Sequence, residues 1–247
     1  MNKLAGLLAV LAIVAGTPLA RADFQISVNI VNCTPTSGTN PQPSASPNGT
    51  LTCATVTPFP GVTLSTVALT GVETGPQTFS EQLGTTLLIQ NTHDFPVTLT
   101  VFFAVSNFTS PVTPPEIDYF SGNTINVTTG DNSVSLFSCV DQTNGLAPPG
   151  GTFCSSPAGA LLNPLLTQSG PGTNSTSAFG QILNLHAPFS LSQGITIVAG
   201  ANSNFNVTTS QILVPVPEPA SILLLGSALL GITLLVRKKV AHRPATD

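Results

Sequence analysis

Residues 97–108 read Val-Thr-Leu-Thr-Val-Phe-Phe-Ala-Val-Ser-Asn-Phe, and this stretch decides the fold class of the chain. Side chains of a strand point alternately to its two faces, so residues of one parity share a face. Five apolar residues of the stretch have the same parity: Val97, Leu99, Val101, Phe103 and Val105. Phe102 belongs to the other face and predicts a central strand that is covered on both sides.

Similar apolar or alternating stretches recur along the chain, separated by turns rich in Gly and Pro. The predicted strands are 24–32, 62–72, 85–91, 97–108, 124–129, 133–140, 179–185, 189–200 and 205–213. Loops are predicted at 33–53 and 170–177, turns at 92–96 and 129–132, and the only helix at 158–167, where Pro164 weakens it. Short strands with almost no helix predict an all-β protein built as a single β-sandwich.

The N-terminus has the order of a secretory signal peptide. Lys3 precedes an uncharged apolar run, and Ala20 and Ala22 are the small residues that signal peptidase prefers before a cleavage point, here ahead of Asp23. The run is shorter than the ~20 residues that cross a bilayer, which disfavours a membrane anchor. We predict that residues 1–22 direct export through the Sec machinery and are then removed by signal peptidase.

A second uncharged apolar run, over residues 220–236, lies near the C-terminus. As a helix it would reach about 25 Å at ~1.5 Å per residue, near the lower limit for a membrane span. Arg237, Lys238 and Lys239 follow at once, and clustered basic residues stay on the cytoplasmic side. The pattern predicts a transmembrane helix rather than a buried core helix, with a basic cytoplasmic tail over 237–247.

Val216, Pro217, Glu218 and Pro219 stand directly before this apolar run. Two prolines around one residue exclude a regular helix and favour an extended peptide that a processing enzyme can bind. With the apolar run and the basic stop behind it, the stretch 216–239 resembles the PEP-CTERM sorting signal of exported proteins from polysaccharide-producing bacteria with two membranes. The resemblance implies a partner, exosortase, a membrane-embedded transpeptidase-like protease that would remove the tail near the two prolines.

Together these features divide the chain into five predicted segments: a signal peptide (1–22), a β-rich exported domain (23–211), a Pro-rich linker (212–219), a transmembrane helix (220–236) and a basic tail (237–247). They predict transient residence in the inner membrane with the domain in the periplasm. Display at the cell surface or outside the cell would follow.

Charges are distributed unevenly along the chain. All six basic residues lie in the terminal segments: Lys3, Arg21, Arg237, Lys238, Lys239 and Arg243. The exported domain has no Lys or Arg and eight acids, which gives it a formal charge near −8: Asp23, Glu73, Glu81, Asp94, Glu116, Asp118, Asp131 and Asp141. Affinity for polyanions comes from Lys and Arg contacts, so the composition disfavours anionic polysaccharide and predicts no nucleic-acid partner.

Four cysteines lie in the exported domain, where disulfides are permitted. Three pairings are possible. We favour Cys33–Cys53 and Cys139–Cys154, because each pair brackets a loop of small and polar residues whose closure stabilises by roughly 3 kcal/mol in the chain-entropy model. Zinc binding is the alternative, and the wide spacings and the lack of accompanying histidines disfavour it.

The sequence offers few catalytic candidates. His93, Asp94 and His186 could belong to a Ser–His–Asp triad, but no Gly-x-Ser-x-Gly motif supplies the nucleophile, and His93 lies in a predicted hairpin turn. Three acids form an alternative calcium set without a regular Asp-x-Asp loop: Glu116, Asp118 and Asp131. We predict no enzymatic activity, no catalytic residue, no bound metal and no cofactor.

The predicted function is that of a structural protein of the cell surface or of an extracellular matrix such as a biofilm or exopolysaccharide layer. The alternative is a module that binds a neutral glycan or a partner protein. Aromatic surfaces for stacking sugars are scarce, because the chain has no Trp and a single Tyr, Tyr119, next to Phe120. A flat face of Thr and Asn side chains would still hydrogen-bond a neutral glycan.

Overall fold

The computed structural model describes residues 24–28, 31–32, 48–53, 55–73, 81–113, 116–145, 154, 157–216, 223–230 and 232–233. Within these residues the chain forms fourteen strands in two seven-stranded sheets. Every strand pair is antiparallel. The predicted all-β class is therefore confirmed, and the two sheets enclose one apolar core as a β-sandwich.

The first sheet contains β1 (Phe24–Val28), β2 (Val31–Asn32), β7 (Val97–Phe108), β9 (Asp131–Asp141), β10 (Pro157–Leu162), β11 (Leu166–Ser169) and β13 (Phe189–Ala199). The second contains β3 (Gly49–Cys53), β4 (Val56–Phe59), β5 (Val62–Val72), β6 (Glu81–Asn91), β8 (Ile117–Thr129), β12 (Gly172–Ile182) and β14 (Ser203–Pro215). The first sheet has the order β10-β9-β13-β7-β1-β2, with β11 beside β9. The second has the order β12-β8-β14-β6-β5-β3, with β4 beside β5.

The core lies between the inner faces of the sheets, as strand alternation requires. Strand β7 has its predicted bounds and lies between β13 and β1, so the prediction of a central strand is confirmed. Its residues Leu99, Val101 and Phe103 are buried in the core. On the outer face Phe102 is half-buried and Ala104 is buried, which matches the expected cover on both sides.

Polar side chains also contribute to the interior and link the two sheets. Thr209 Oγ1 of β14 donates a hydrogen bond of 2.7 Å to Gln193 Oε1 of β13 in the opposite sheet. Gln211 Nε2 donates to the Tyr119 hydroxyl and to the Cys139 carbonyl oxygen, both at 2.9 Å. All five residues are buried. These bonds satisfy polar groups that would otherwise be costly inside the protein.

The turn at 92–96 joins the two sheets, because β6 belongs to the second sheet and β7 to the first. The prediction of a hairpin turn there is therefore wrong. Asn91 fixes this crossing, since its Nδ2 donates to the carbonyl oxygens of Phe95 at 3.0 Å and of Gly200 at 2.8 Å. A second crossing at Gly130 joins β8 to β9, and its φ of 84° is a left-handed conformation that favours glycine.

Two predictions between residues 157 and 182 are wrong. The predicted helix at 158–167 is two strands, β10 and β11, and both pair with β9. The predicted loop at 170–177 lies almost wholly in β12, which pairs with β8 along its full length. Because β12 is an edge strand with mostly exposed side chains, its sequence lacks the apolar alternation that marks a buried strand.

The predicted disulfide between Cys139 and Cys154 is confirmed, with a Cα–Cα distance of 6.1 Å. Cys53 is also disulfide-bonded, and its predicted partner Cys33 lies outside the described residues. No described cysteine is a free thiol.

The last strand is longer than predicted. β14 continues through residues 212–215, which pair with β8 where a linker was expected. Nearer the C-terminus, residues 223–230 and 232–233 are helical, with exposed leucines such as Leu223 and Leu229. Among the described residues, no helix has both the length and the apolar character needed to cross a bilayer. The transmembrane helix at 220–236 stays a prediction.

Candidate functional site

The outer face of the second sheet carries rows of small and hydroxyl side chains. Opposite residues of an antiparallel pair share a face, so the strand register defines each row. One row comprises Ser175 (β12), Thr124 (β8), Thr208 (β14), Thr86 (β6) and Ala68 (β5). The next comprises Ser177, Gly122, Ser210, Gly84 and Thr70 of the same strands. We call these two rows the hydroxyl face.

A shallow groove of about 330 Å³ lies on the hydroxyl face, over β12, β8 and β14. Gly122 forms part of its floor, and a Cβ there would lie 3.5 Å from Ser210 Oγ and 3.6 Å from the Thr176 carbonyl oxygen. The missing side chain at this position leaves the groove open. Hydroxyls from all three strands line it, including those of Thr124 and Thr208. Each hydroxyl can donate one hydrogen bond and accept others.

An exposed aromatic pair adjoins the groove. Phe120 of β8 and Phe179 of β12 are opposite each other in the register, with ring centroids 5.0 Å apart and planes inclined by 49°. They are 41% and 53% exposed. Ile212 of β14 is opposite Phe120 on its other side. These three side chains form the apolar row, two residues or about 7 Å along each strand from the row of Gly122.

The hydroxyl face and the apolar row contain no formal charge. Asp118, beyond the apolar row, is the nearest acid on this face of β8, and Gln181 Nε2 donates a bond of 3.4 Å to its carboxylate. The exported domain has no Lys or Arg in its sequence. The surface therefore offers hydroxyls and an apolar contact, and it lacks the cations that bind anionic polymers.

Tyr119 and Phe120 point to opposite sides of β8. Tyr119 is 1% exposed, and burial raises the pKa of its hydroxyl far above the ordinary value, although hydrogen bonds from Ser138 and Gln211 act in the opposite direction. The only tyrosine of the chain is therefore a core residue and cannot stack on a ligand. Its neighbour Phe120 faces solvent instead.

The catalytic candidates lie far apart. His93 is in the crossing between β6 and β7, where its Nε2 is 2.6 Å from the Pro60 carbonyl oxygen and its ring stacks on Phe95. Its carbonyl oxygen accepts from the Asn202 amide, near the Thr129 end of β8. His186 is exposed and follows Ile182, which pairs with Ile117 at the other end of β8. A strand of this length spans about 40 Å, so the two histidines cannot share a site.

The alternative calcium set is separated in the same way. Glu116 and Asp118 lie at the start of β8, whereas Asp131 lies two residues beyond its end. The Asp131 carboxylate accepts a 2.6 Å hydrogen bond from Ser169 Oγ. Across the described ranges, no group of three or more His, Cys, Asp or Glu side chains is placed to hold a metal ion.

The sorting segment begins where the sheet ends. Val216 donates its backbone N–H to the Glu116 carbonyl oxygen at 2.7 Å. The other predicted residues of the two terminal signals lie outside the described residues: Ala20, Ala22, Asp23, Pro217, Glu218, Pro219, Arg237, Lys238 and Lys239.

The sequence reasoning missed Gly122, Thr208 and Phe179 as surface residues. The predicted bounds cover only parts of two strands of the face and assign the start of β12 to a loop. Residues 175–179 read Ser-Thr-Ser-Ala-Phe, which has no apolar alternation, so the sequence gives no signal for this strand.

The two-sheet sandwich is followed in the sequence by an apolar C-terminal segment. The tail is of a known kind: residues 215–239 match the PEP-CTERM protein-sorting motif. The protein thus carries a signal for exosortase-dependent sorting, which directs exported proteins to the cell envelope or surface. The predicted sorting signal is confirmed.

No characterised protein matches the sequence significantly. Solved structures that resemble the fold include TmCBM61 in complex with β-1,4-galactotriose, at 8% identity and a TM-score of 0.27 over 60% of this chain and 87% of that one. Another is the family 11 carbohydrate-binding module from Clostridium thermocellum, at 12% identity and a TM-score of 0.27 over 69% and 89% of the two chains. These scores are too low to define a shared fold.

Proposed function

We propose that this exosortase-sorted protein is a non-enzymatic component of the cell surface or extracellular matrix that binds neutral polysaccharide. The observation that carries the proposal is the uncharged hydroxyl face with its groove beside Phe120 and Phe179. The competing proposal is a purely structural role in the matrix, without polysaccharide binding.

The chemistry of the face suits a sugar chain. A pyranose ring has an apolar C–H face and a rim of hydroxyl groups. Exposed phenylalanine rings offer a flat apolar surface for the C–H face of the sugar. Serine and threonine hydroxyls, which both donate and accept, can hydrogen-bond the hydroxyl groups of the sugar. A flat sheet presents both kinds of contact along a line, which suits a polymer better than a small molecule.

The absence of cations favours a neutral ligand. A domain with a formal charge near −8 and no Lys or Arg repels acidic polysaccharides. Proteins that bind such polymers gain affinity from cations, and this face has none to offer.

Delivery would follow the order of the terminal signals. Signal peptidase would act after export through the Sec machinery, and the apolar helix would hold the domain at the inner membrane as a transient single span. Exosortase would then remove the tail. The domain would reach the surface or the surrounding matrix.

Affinity gel electrophoresis with neutral and acidic polysaccharides tests the proposed binding. We expect the mature protein to be retarded by at least one neutral polysaccharide. Phe120→Ala and Phe179→Ala should each lower the affinity about fivefold, because an aromatic contact contributes ~1 kcal/mol.

Phe59→Ala is the matched control, since Phe59 is also 41% exposed but lies on β4 at the opposite edge of the same sheet. The proposal fails if the three variants bind alike, or if acidic polysaccharides bind more strongly than neutral ones. Binding to no polysaccharide would favour the purely structural role.

A further inference from the structure

The junction between the sandwich and the sorting motif has no free spacer. The matched motif starts at Pro215, and Pro215 is the last residue of β14, opposite Ile117 of β8. Val216 extends the pairing by its bond to the Glu116 carbonyl oxygen. The first two residues of the sorting motif are therefore part of the folded sheet.

The described pairing of the end of β14 is with β8. Among the described residues, the pairing of β14 with β6 runs to Leu213, opposite Glu81, and its pairing with β8 continues through Val214, opposite Asp118, to Pro215. Leu213 is fully buried, and Val214 is 38% exposed. Residues 214–216 can thus separate from β8 without uncovering the core. We call these three residues the latch.

An enzyme that cleaves near Pro217-Glu218-Pro219 has to bind residues on both sides of the bond. Protein partners commonly bind an extended peptide through its backbone N–H and C=O groups. On the N-terminal side of the motif those groups belong to the latch, and the Val216 N–H is already bonded to Glu116 beside β8. On the other side, only six residues separate Val216 from the helix at Leu223, a reach of at most about 25 Å.

We propose that release of the latch from β8 is the step that presents the sorting motif to exosortase. In the paired state the first two residues of the motif, Pro215 and Val216, are held against β8. In the released state residues 214–216 become an extended peptide continuous with the motif, and the domain itself stays folded because Leu213 and the strands before it remain paired.

A crosslink across the latch tests this in the full chain, expressed with the host's exosortase. Val214→Cys combined with Asp118→Cys places two cysteines on opposite residues of the solvent-facing side. Pulse–chase with intact mass measures both the crosslink and the loss of the tail. We expect the crosslinked protein to lose its tail at least tenfold more slowly than the wild type.

Asn206→Cys combined with Asn126→Cys is the matched control. It joins the same two strands at an opposite pair on the outer face, away from both the latch and the hydroxyl face, and it should be processed like the wild type. Each single cysteine variant controls for the substitution without the crosslink. A Gly-Ser-Gly-Ser insertion between Val216 and Pro217 should restore processing to the crosslinked latch, because it supplies the free residues.

The proposal is overturned if the crosslinked latch is processed at the wild-type rate, if the insertion fails to restore processing, or if the wild-type tail is not removed by exosortase. The readout is whether the mass of the protein includes the tail, so the result does not depend on whether the hydroxyl face binds polysaccharide.

Discussion

Tyr119 and Phe120 are neighbours in sequence, but they lie on opposite faces of β8 and therefore have different roles. Successive side chains of a strand face opposite sides. Tyr119 is accordingly enclosed between the sheets, where Gln211 donates to its hydroxyl. Phe120 lies beside Phe179 on the outer surface. Only the second of these neighbours is available to a ligand.

Burial of Tyr119 makes the stability of the domain sensitive to high pH. Its folded-state pKa is raised, so the neutral hydroxyl stabilises the fold fully below the unfolded pKa of about 10, and this contribution is lost as pH rises toward the folded value. The exported domain has no Lys and no other Tyr. We expect urea unfolding to show lower stability at about pH 11 than at about pH 8.

Tyr119→Phe should lose much less stability over the same pH interval, because it has no hydroxyl to ionise. Equal losses in the two proteins would contradict a buried, neutral Tyr119. Phenolate absorbance gives a second readout, since the ionised form should appear only as the wild type unfolds.

At the scale of elements, two of the crossings between the sheets contain a glycine: Gly130 between β8 and β9, and Gly200 between β13 and β14. Gly130 has positive φ, and Gly200 packs against the start of β9. The side chains of Asn91 and Asn132 bond the backbone of Gly200. Asn91 Nδ2 donates to the Gly200 carbonyl oxygen, and the Gly200 amide donates to Asn132 Oδ1 at 3.1 Å. Local bonds of this kind replace the ladder bonds that a hairpin would have provided.

Gly200→Ala should destabilise the protein by about 3 kcal/mol, the upper part of the range for overpacking. A Cβ at this position would lie 2.1 Å from the Asp131 carbonyl oxygen, and a backbone atom cannot rotate away. Urea unfolding measures the change in free energy.

Gly122→Ala is the control for that substitution, because its nearest new contact is at 3.5 Å, and its stability should change by no more than about 0.5 kcal/mol. Equal stability of the two variants would contradict the close approach of Gly200 to the Asp131 backbone.

On the scale of the whole molecule, the separation of charge is the dominant feature. The basic residues lie only in the terminal segments, and the domain between them is acidic. Without those segments, the protein would have no cation besides its N-terminus and its histidines. Its interactions would then depend on hydrogen bonds and apolar contact.

Polysaccharide binding by the mature protein should therefore depend little on salt. Raising the salt concentration from about 0.05 M to about 0.5 M should change the affinity less than about twofold. Binding through Lys or Arg contacts to a polyanion would instead lose affinity with each such contact, because the released counterions must bind again. Titration of one neutral polysaccharide at both concentrations measures this. A steep loss of affinity with salt would indicate ionic binding and contradict the proposed face.

Some of these features could be predicted from sequence, and others could not. The bounds of β5 and β7 follow from apolar alternation, because both strands bury one face in the core. The pairing of Cys139 with Cys154 follows from loop closure. The strands β10 and β12 could not be predicted, because edge strands bury too few side chains to require alternating apolar residues in their sequence. The hydroxyl face depends on the register between strands that are distant in sequence.

By itself the sequence determined the all-β class, the C-terminal sorting signal and the neutral-to-acidic character of the exported domain. Each of these depends on local order or composition, which a linear pattern contains in full. Only the tertiary structure decided which strands share a sheet, which side of β8 meets solvent, and that the sorting motif starts inside the last strand. These properties arise from pairing between distant segments, and the free energy of such pairing is not a property of either segment alone.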